Sequence, residues 1–226
     1  MRISVVMPTL NEFVNLAARA RDLDAQSGPW EWIVADGGSS DGTPARAAEL
    51  GARLVTSGPG RGLQLDTGTR VASGEIVLFL HADTALPHGA FDAMRSLLGE
   101  TEIVGGNFAL RFDERTTVAR IFETIYRLRQ RAFGTYFGDS AIFVRRAVYD
   151  AIGGFGDAPI MEDYAFSVAM REHGRAVRLQ LAVMTSSRRY QRRPIRTLWT
   201  WISIMTLYRF GVAPGRLARF YRPNVP

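Results

Sequence analysis

The stretch "EIVLFLHADT" spans residues 75–84. Ile76 to Leu80 are apolar at every position, and the run then breaks into His81, Ala82, Asp83 and Thr84. A strand with water on one face would alternate apolar and polar residues; an unbroken run reads as a strand buried on both faces. Such strands belong to parallel sheets sandwiched between helices, and ligands bind beyond their carboxyl ends. The same kind of run recurs upstream in "ISVVMP" (3–8), "EWIVAD" (31–36) and "ARLVTS" (52–57). Between the runs lie segments with helical spacing, "NEFVNLAARARDLDA" (11–25), "PARAAELG" (44–51) and "RGLQLDTGTRVAS" (61–73). The alternation predicts an α/β protein, a Rossmann-like doubly wound, mostly parallel sheet with helices on both faces. Its strand ends, Pro8-Thr9, Asp36-Gly37, Ser57-Gly58 and His81-Ala82-Asp83, are all polar or glycine-rich.

The second half is less regular. "VGGNFALRF" (104–112) and "AIFVRR" (141–146) read as strands, and 114–132 as a helix with an arginine-rich face. A short helix and the turn "GGFGDAP" (153–159) lead into a helix over 161–174, ended by Gly174. The division expected is a catalytic domain over 1–190, nucleotide-binding to about 110 and acceptor-binding beyond, then a basic, aromatic helical tail over 191–226.

Composition narrows the function. With 46% hydrophobic and 22% charged residues, the 226-residue chain is globular. It has no cysteine, which excludes disulfides and thiolate metal sites. All 28 basic residues are arginine, the net charge is +6, and the excess gathers between Arg171 and Arg222. That end is directed at phosphates or an anionic membrane surface. Met1-Arg2 leads straight into a strand with no signal peptide, and no apolar run approaches the roughly 18 residues of a membrane span. A cytoplasmic location is expected.

Six local patterns carry chemistry. In "PTLNE" (8–12), Thr9 and Glu12 have capping-box spacing, which serves a helix start or a grip on a nucleoside. In "ADGGSSDGT" (35–43), Asp41 suits a helix cap, whereas Asp36 ends a strand where a carboxylate accepts from a base N–H. "SGPGRGLQ" (57–64) places glycines and Arg61 before a helix, a site for an anion, without the lysine of a P-loop. A metal on a diphosphate needs few protein ligands, so Asp83 alone would suffice, with His81 beside it or merely packed. Glu162-Asp163 open a helix, where carboxylates either complement its dipole or act as a general base. "SSRRYQRRP" (186–194) is a solvated basic loop, a membrane patch or a diphosphate clamp.

Taken in order, "SVVMPTLNE", "VADGGSSDGT", "GRGLQLDTGTRVASGEIVLFLHADT", "GGF" and "MED" resemble the family 2 glycosyltransferases of GT-A type, over residues 3 to about 174. "FGDSAIFVRR", "GGFGDAPIMED" and "TSSRRYQRR" add a likeness to the bacterial subgroup known as rSAM/selenodomain-associated glycosyltransferases. The resemblance implies a nucleotide-binding set of Pro8, Thr9, Leu10, Glu12, Asp36, Gly60, Arg61, His81, Ala82 and Asp83. Asp83 would hold Mg2+ or Mn2+, and Asp163, supported by Glu162, would deprotonate the acceptor. Asp139, Arg188, Arg189 and Tyr190 would serve the diphosphate or the acceptor. Three positions depart from the family pattern: Gly37 replaces a second aspartate, His81 the first aspartate of DxD, and Asp66 a frequent asparagine.

The expected activity is inverting sugar transfer from a nucleotide-sugar, most often a UDP-sugar, onto an acceptor hydroxyl. The alternatives are a nucleotidyltransferase acting on a sugar phosphate and a non-catalytic nucleotide-binding module. Nucleic acid is not an expected partner. In the tail, Thr197, Thr200, Ser203 and Thr206 stripe an otherwise apolar helix bounded by Arg196 and Arg209. That helix would pack on the domain, join a homodimer, or lie on the inner face of the cytoplasmic membrane through 194–212. In the last arrangement Trp199 and Trp201 sit at headgroup level, suiting a lipid or lipid-linked acceptor.

Overall fold

The computed structural model describes residues 1–187 and 194–220. The first half alternates as the sequence predicts: β1 (Ile3–Thr9), α1 (Phe13–Asp24), β2 (Trp30–Asp36), α2 (Thr43–Glu49), β3 (Arg53–Thr56), α3 (Arg61–Arg70) and β4 (Ile76–Phe79). β1 is flanked by β2 and β4, all parallel, with Thr9 opposite Asp36, which in turn faces Thr56 on β3. Successive residues feed opposite cores. Ile3, Val5 and Met7 pack with Leu16, Leu23, Ile76 and Leu78 on one side. Val6 packs with Ile33, Val77, Phe79 and Phe166 on the other. This double burial is why the strands lack polar alternation.

The chain continues as β5 (Thr84–Ala85), α4 (Ala90–Leu97), β6 (Ile103–Phe112), α5 (Thr117–Phe133), a 3-10 turn (Gly138–Ser140), β7 (Ile142–Arg145), α6 (Arg146–Ile152), α7 (Glu162–Glu172) and β8 (Arg175–Thr185). One eight-stranded sheet runs β3-β2-β1-β4-β7-β6-β8-β5, continuous through both halves. β7 is antiparallel to β4 and β6, β8 is parallel to β6, and β5 is antiparallel to β8. The sequence reading did not include β5, α4 or β8.

Two helices follow, α8 (Pro194–Arg209) and α9 (Pro214–Ala218). α8 lies on the domain. Trp201 meets Phe122 and Tyr126 edge-on, with ring centroids 5.9 and 5.8 Å apart. Ile204 and Tyr208 join Met161, Tyr164 and Leu217. Trp201 is thus half-buried against α5, as in the first of the three arrangements, in which this helix packs on the domain. Trp199 is 65% exposed. No described helix is long and apolar enough to cross a membrane.

Candidate active site

The site begins where β1 and β2 end. The Asp36 carboxylate accepts from the Thr9 hydroxyl (3.1 Å), the Ser39 hydroxyl (2.5 Å) and the backbone N–H groups of Gly38 (3.0 Å) and Ser39 (2.8 Å). Burial alone would raise its pKa, but these bonds outweigh it and hold Asp36 below the usual carboxylate value. Asp36 thus shapes the loop that would meet a nucleoside. Behind it, the Gln64 amide on α3 donates to the carbonyls of Thr9 (2.7 Å) and Ala35 (2.9 Å). A side chain on Gly37 would start 2.9 Å from the Gln64 amide nitrogen. Gln64 fills the space that a second aspartate would need.

The capping box between Thr9 and Glu12 does not form. α1 starts at Phe13 with no side-chain bond from its N-cap residue, Glu12. The neighbouring turn supplies the partners instead: Asp41 accepts from the Phe13 N–H (3.2 Å), and the Thr43 hydroxyl from the Glu12 N–H (2.8 Å). Thr9 is already committed to Asp36, which explains the difference. Asp41 also accepts from the Thr43 N–H (3.0 Å), so it is the structural residue expected. Asn11, absent from the sequence reading, ties the two loops: its N–H donates to Ser39 Oγ (2.8 Å) and its Oδ1 accepts from the Ser40 N–H (2.9 Å). Pro8 is half-buried and Leu10 is exposed at this rim.

Asp36→Asn replaces an acceptor of four bonds by a group with one accepting atom. It is expected to destabilise the fold by roughly 1–3 kcal/mol at pH 7. A depressed folded pKa stabilises above the unfolded value and loses that contribution as pH falls through the folded one. The deficit relative to the native protein should therefore shrink below about pH 4. Urea denaturation at pH 7 and pH 3 measures both; an equal deficit at the two pH values would contradict the assignment.

Past β4, the Ala82 carbonyl accepts from the buried Arg19 guanidinium of α1 (3.3 Å). Thr84 pairs with Thr185 of β8, their hydroxyls 2.9 Å apart. Asp83 is exposed between these two fixed neighbours. Among the described residues no group of three His, Cys, Asp or Glu could hold a metal. Asp83 would serve as the single protein carboxylate of a divalent ion whose remaining ligands are diphosphate oxygens and water.

The opposite wall comes from α7 and the 3-10 turn. Glu162 and Asp163, at the start of α7, are 2% and 6% exposed. Arg61, at the start of α3, bonds Glu162 through Nε and Asp163 through Nη2 (3.3 Å). Asp163 also accepts from the N–H groups of Gly138 (2.8 Å) and Tyr164 (2.8 Å). Burial pushes the Glu162 carboxyl above its usual value; Arg61 opposes this and Asp163 adds to it. A Cβ built on Gly138 would lie 2.8 Å from His81 Nε2 and 3.5 Å from Asp163 Oδ2, so the strand-end histidine and the helix-start carboxylate converge on one glycine. Asp139 follows, taking a hydrogen bond from the Tyr126 hydroxyl. Its pKa is raised, chiefly by burial and further by Asp163.

Asp66 has a structural task. Its carboxylate accepts from Tyr149 Oη (2.6 Å), Phe155 N–H (2.8 Å) and Gly156 N–H (3.2 Å), holding the turn that aims α7. An asparagine would offer one acceptor there. Gly60 sets the entry to α3 with φ of 131°. Arg188, Arg189 and Tyr190 lie outside the described residues. Arg61, Glu162, Asp163 and the Gly138 turn thus form one connected group with His81 against Gly138, and Thr9 and Asp36 form a second at the carboxyl ends of β1 and β2. The first group pairs a guanidinium, which can meet an anion, with a held carboxylate, which can take a proton.

The profile of glycosyl transferase family 2 matches residues 4–153. Glucosyl-3-phosphoglycerate synthase of Mycobacterium tuberculosis (strain ATCC 25618 / H37Rv) is 35% identical over 100 residues, covering 39% of this chain and 31% of that protein. The match spans about a third of the length of the curated relatives. Among solved structures, the mannosyltransferase PcManGT from Pyrobaculum calidifontis, in complex with GDP-Man and Mn2+, superposes with a TM-score of 0.70 at 20% identity, over 95% of this chain and 66% of that one. S. aureus TarS 1-349 in complex with UDP-GlcNAc gives 0.61 at 19%, over 83% and 59%. The M. tuberculosis synthase with Mn2+, UDP and glucosyl-3-phosphoglycerate gives 0.61 at 23%, over 93% and 80%. These likenesses establish the GT-A fold.

Proposed function

The chain belongs to glycosyl transferase family 2, and from that premise we propose that it transfers a sugar from a UDP-sugar to an acceptor hydroxyl with Asp163 as general base. The observation that carries the reading is the convergence of Arg61 and the Gly138 N–H on Asp163, with His81 against the same glycine, at the edge where Thr9 and Asp36 end their strands and the chain leaves β4 toward Asp83. The nucleoside lies on the Thr9–Asp36 rim, its uracil against the loop that Asp36 orders. The diphosphate runs toward Asp83 and Arg61. A divalent ion bound at Asp83 would neutralise part of the diphosphate charge. UDP and Mn2+ occur together in a structure of the synthase that this chain resembles, which supports both choices.

Transfer asks three things of the chain's own residues. Asp163 must be fixed in orientation, and three N–H donors fix it. It must take the proton from the acceptor oxygen as that oxygen attacks the anomeric carbon. Attack opposite the leaving diphosphate needs no second carboxylate nucleophile, and the product is inverted. Arg61 must favour the departing anion: its side chain is 38% exposed while held to both acids.

A thermal-shift series of nucleoside diphosphates with and without Mn2+ tests the donor half. UDP at a hundredfold excess over its Kd adds about 2.7 kcal/mol to the native state. For a chain of this size that is a rise in Tm of roughly 5–10 °C. The rise should depend on Mn2+, and Asp83→Ala should remove the Mn2+-dependent part. A larger rise with GDP would reject the uridine preference, and no rise with any nucleoside diphosphate would overturn the donor reading.

A further inference from the structure

The two sides of α8 differ. Trp201, Ile204 and Tyr208 face the domain. On the other side Ile195, Trp199, Ile202 and Phe210 are exposed, from 49% at Ile202 to 84% at Phe210. At about 3.6 residues per turn these four fall within a sector of about 80°, opposite the packed side. The Phe210 N–H bonds the Thr206 carbonyl (3.0 Å), so the helical path carries the stripe to its last residue. By the same count, Arg196 and Arg209 border the stripe on its two flanks. Residues 194–220 contain four arginines and no aspartate or glutamate. Arg196, Arg216 and Arg219 form no ion pair with a carboxylate among the described residues. Single exposed apolar residues are ordinary, whereas a row of them rimmed by charge marks an interaction surface.

We infer that this outward face of α8 docks on an anionic lipid surface. The apolar stripe enters the boundary between headgroups and acyl chains, with the Trp199 indole at the interface. The flanking arginines lay their stems along that boundary and reach the lipid phosphates. No described helix could cross the bilayer, so the contact is peripheral and α8 lies along the surface. Charge selects the bilayer over a second copy of the chain. A two-fold interface through the same stripe would set these arginines against their own counterparts, with no carboxylate in the segment to meet them. The inference does not depend on the transfer reading, but it bears on where transfer would occur. Tyr208, on the packed side of α8, meets Tyr164 edge-on with centroids 5.5 Å apart. Tyr164 follows Asp163 at the start of α7. Docking would therefore bring the start of α7 up to the membrane with only α8 between them.

Flotation of the whole chain with phosphatidylcholine vesicles, with and without phosphatidylglycerol, tests this. The native chain should float with the anionic vesicles, and added salt should weaken the association. Trp199→Ser and Phe210→Ser should each weaken partitioning roughly tenfold, the loss for one large apolar side chain returned to water. Arg196→Gln and Arg216→Gln should each weaken it roughly fivefold on anionic vesicles only. All four side chains are exposed, so each variant should keep a Tm within about 2 °C of the native value, and lost flotation then reports a lost contact. Flotation that is absent, indifferent to phosphatidylglycerol, or equal in the native chain and the variants overturns the inference. Sedimentation equilibrium without lipid addresses the rival occupant. A native dimer that Trp199→Ser and Phe210→Ser dissociate would assign the stripe to a second copy and overturn the inference, whereas a monomer that floats on anionic vesicles supports it.

Discussion

Asp163→Asn is expected to lower kcat about a thousandfold and to leave UDP affinity in the presence of Mn2+ within about twofold. General-base catalysis contributes about a hundred- to ten-thousandfold, and an amide cannot accept the acceptor proton. The substitution preserves shape. Asp163 Oδ1 faces the Tyr164 N–H, while Oδ2 faces the Gly138 N–H and Arg61. An amide must turn its NH2 group toward one of these donor sets, so a modest loss of stability accompanies the loss of turnover. Measuring Tm beside kcat separates the two effects. Turnover reduced less than about tenfold would remove Asp163 from the role of base. Lost UDP binding would instead mark it as part of the scaffold under the donor crevice.

Gly106→Ala is expected to destabilise the chain by about 3 kcal/mol, at the upper end of overpacking effects. Gly106 lies in β6, opposite Phe143 of β7 and Val177 of β8. A Cβ there would collide with the Val177 carbonyl oxygen and stand 3.1 Å from the Phe143 ring. Backbone on one side and a packed aromatic on the other leave no flexible group to yield. The corresponding fall in Tm is roughly 6–12 °C. The effect reaches the site as well. Asn107, next in the strand, donates to Ser140 Oγ (2.8 Å) and accepts from Gln130 (2.7 Å), which anchors the turn carrying Gly138. A Tm within about 2 °C of the native value would mean that β6 and β8 can separate locally without cost.

Why these residues differ in how openly the sequence displays them is a matter of burial and distance. β1, β2 and β4 are legible because double burial leaves them no polar positions. Once they are placed, the strand-end rule exposes Thr9, Asp36, His81 and Asp83. β8 escapes because Arg175, Arg178 and Gln180 interrupt its apolar residues; its amino-terminal part is partly exposed and reads like a loop. β5 is two residues long, below any periodicity. The supporting residues escape for another reason. Arg19, Asn11 and Gln64 look like ordinary polar residues of helices and turns, and only tertiary packing brings them to Ala82, Ser39 and the carbonyls of Thr9 and Ala35. The contact of Arg61 with Glu162 and Asp163 crosses 101 and 102 residues, which no local pattern can reveal.

That contact also divides the site by when it can form. Thr9 reaches Asp36 across 27 residues, within the first β-α-β unit. Asp163 depends on an arginine 102 residues away and on a turn 25 residues away. Closing the longer loop costs more chain entropy and is repaid only once β4, β7 and β6 have been laid side by side. By loop closure alone, the Thr9–Asp36 contact is the less costly assembly and the Arg61–Asp163 contact the more costly one. A chain with an aligned Asp163 has therefore already completed its sheet, so sugar transfer would be confined to molecules that have finished folding.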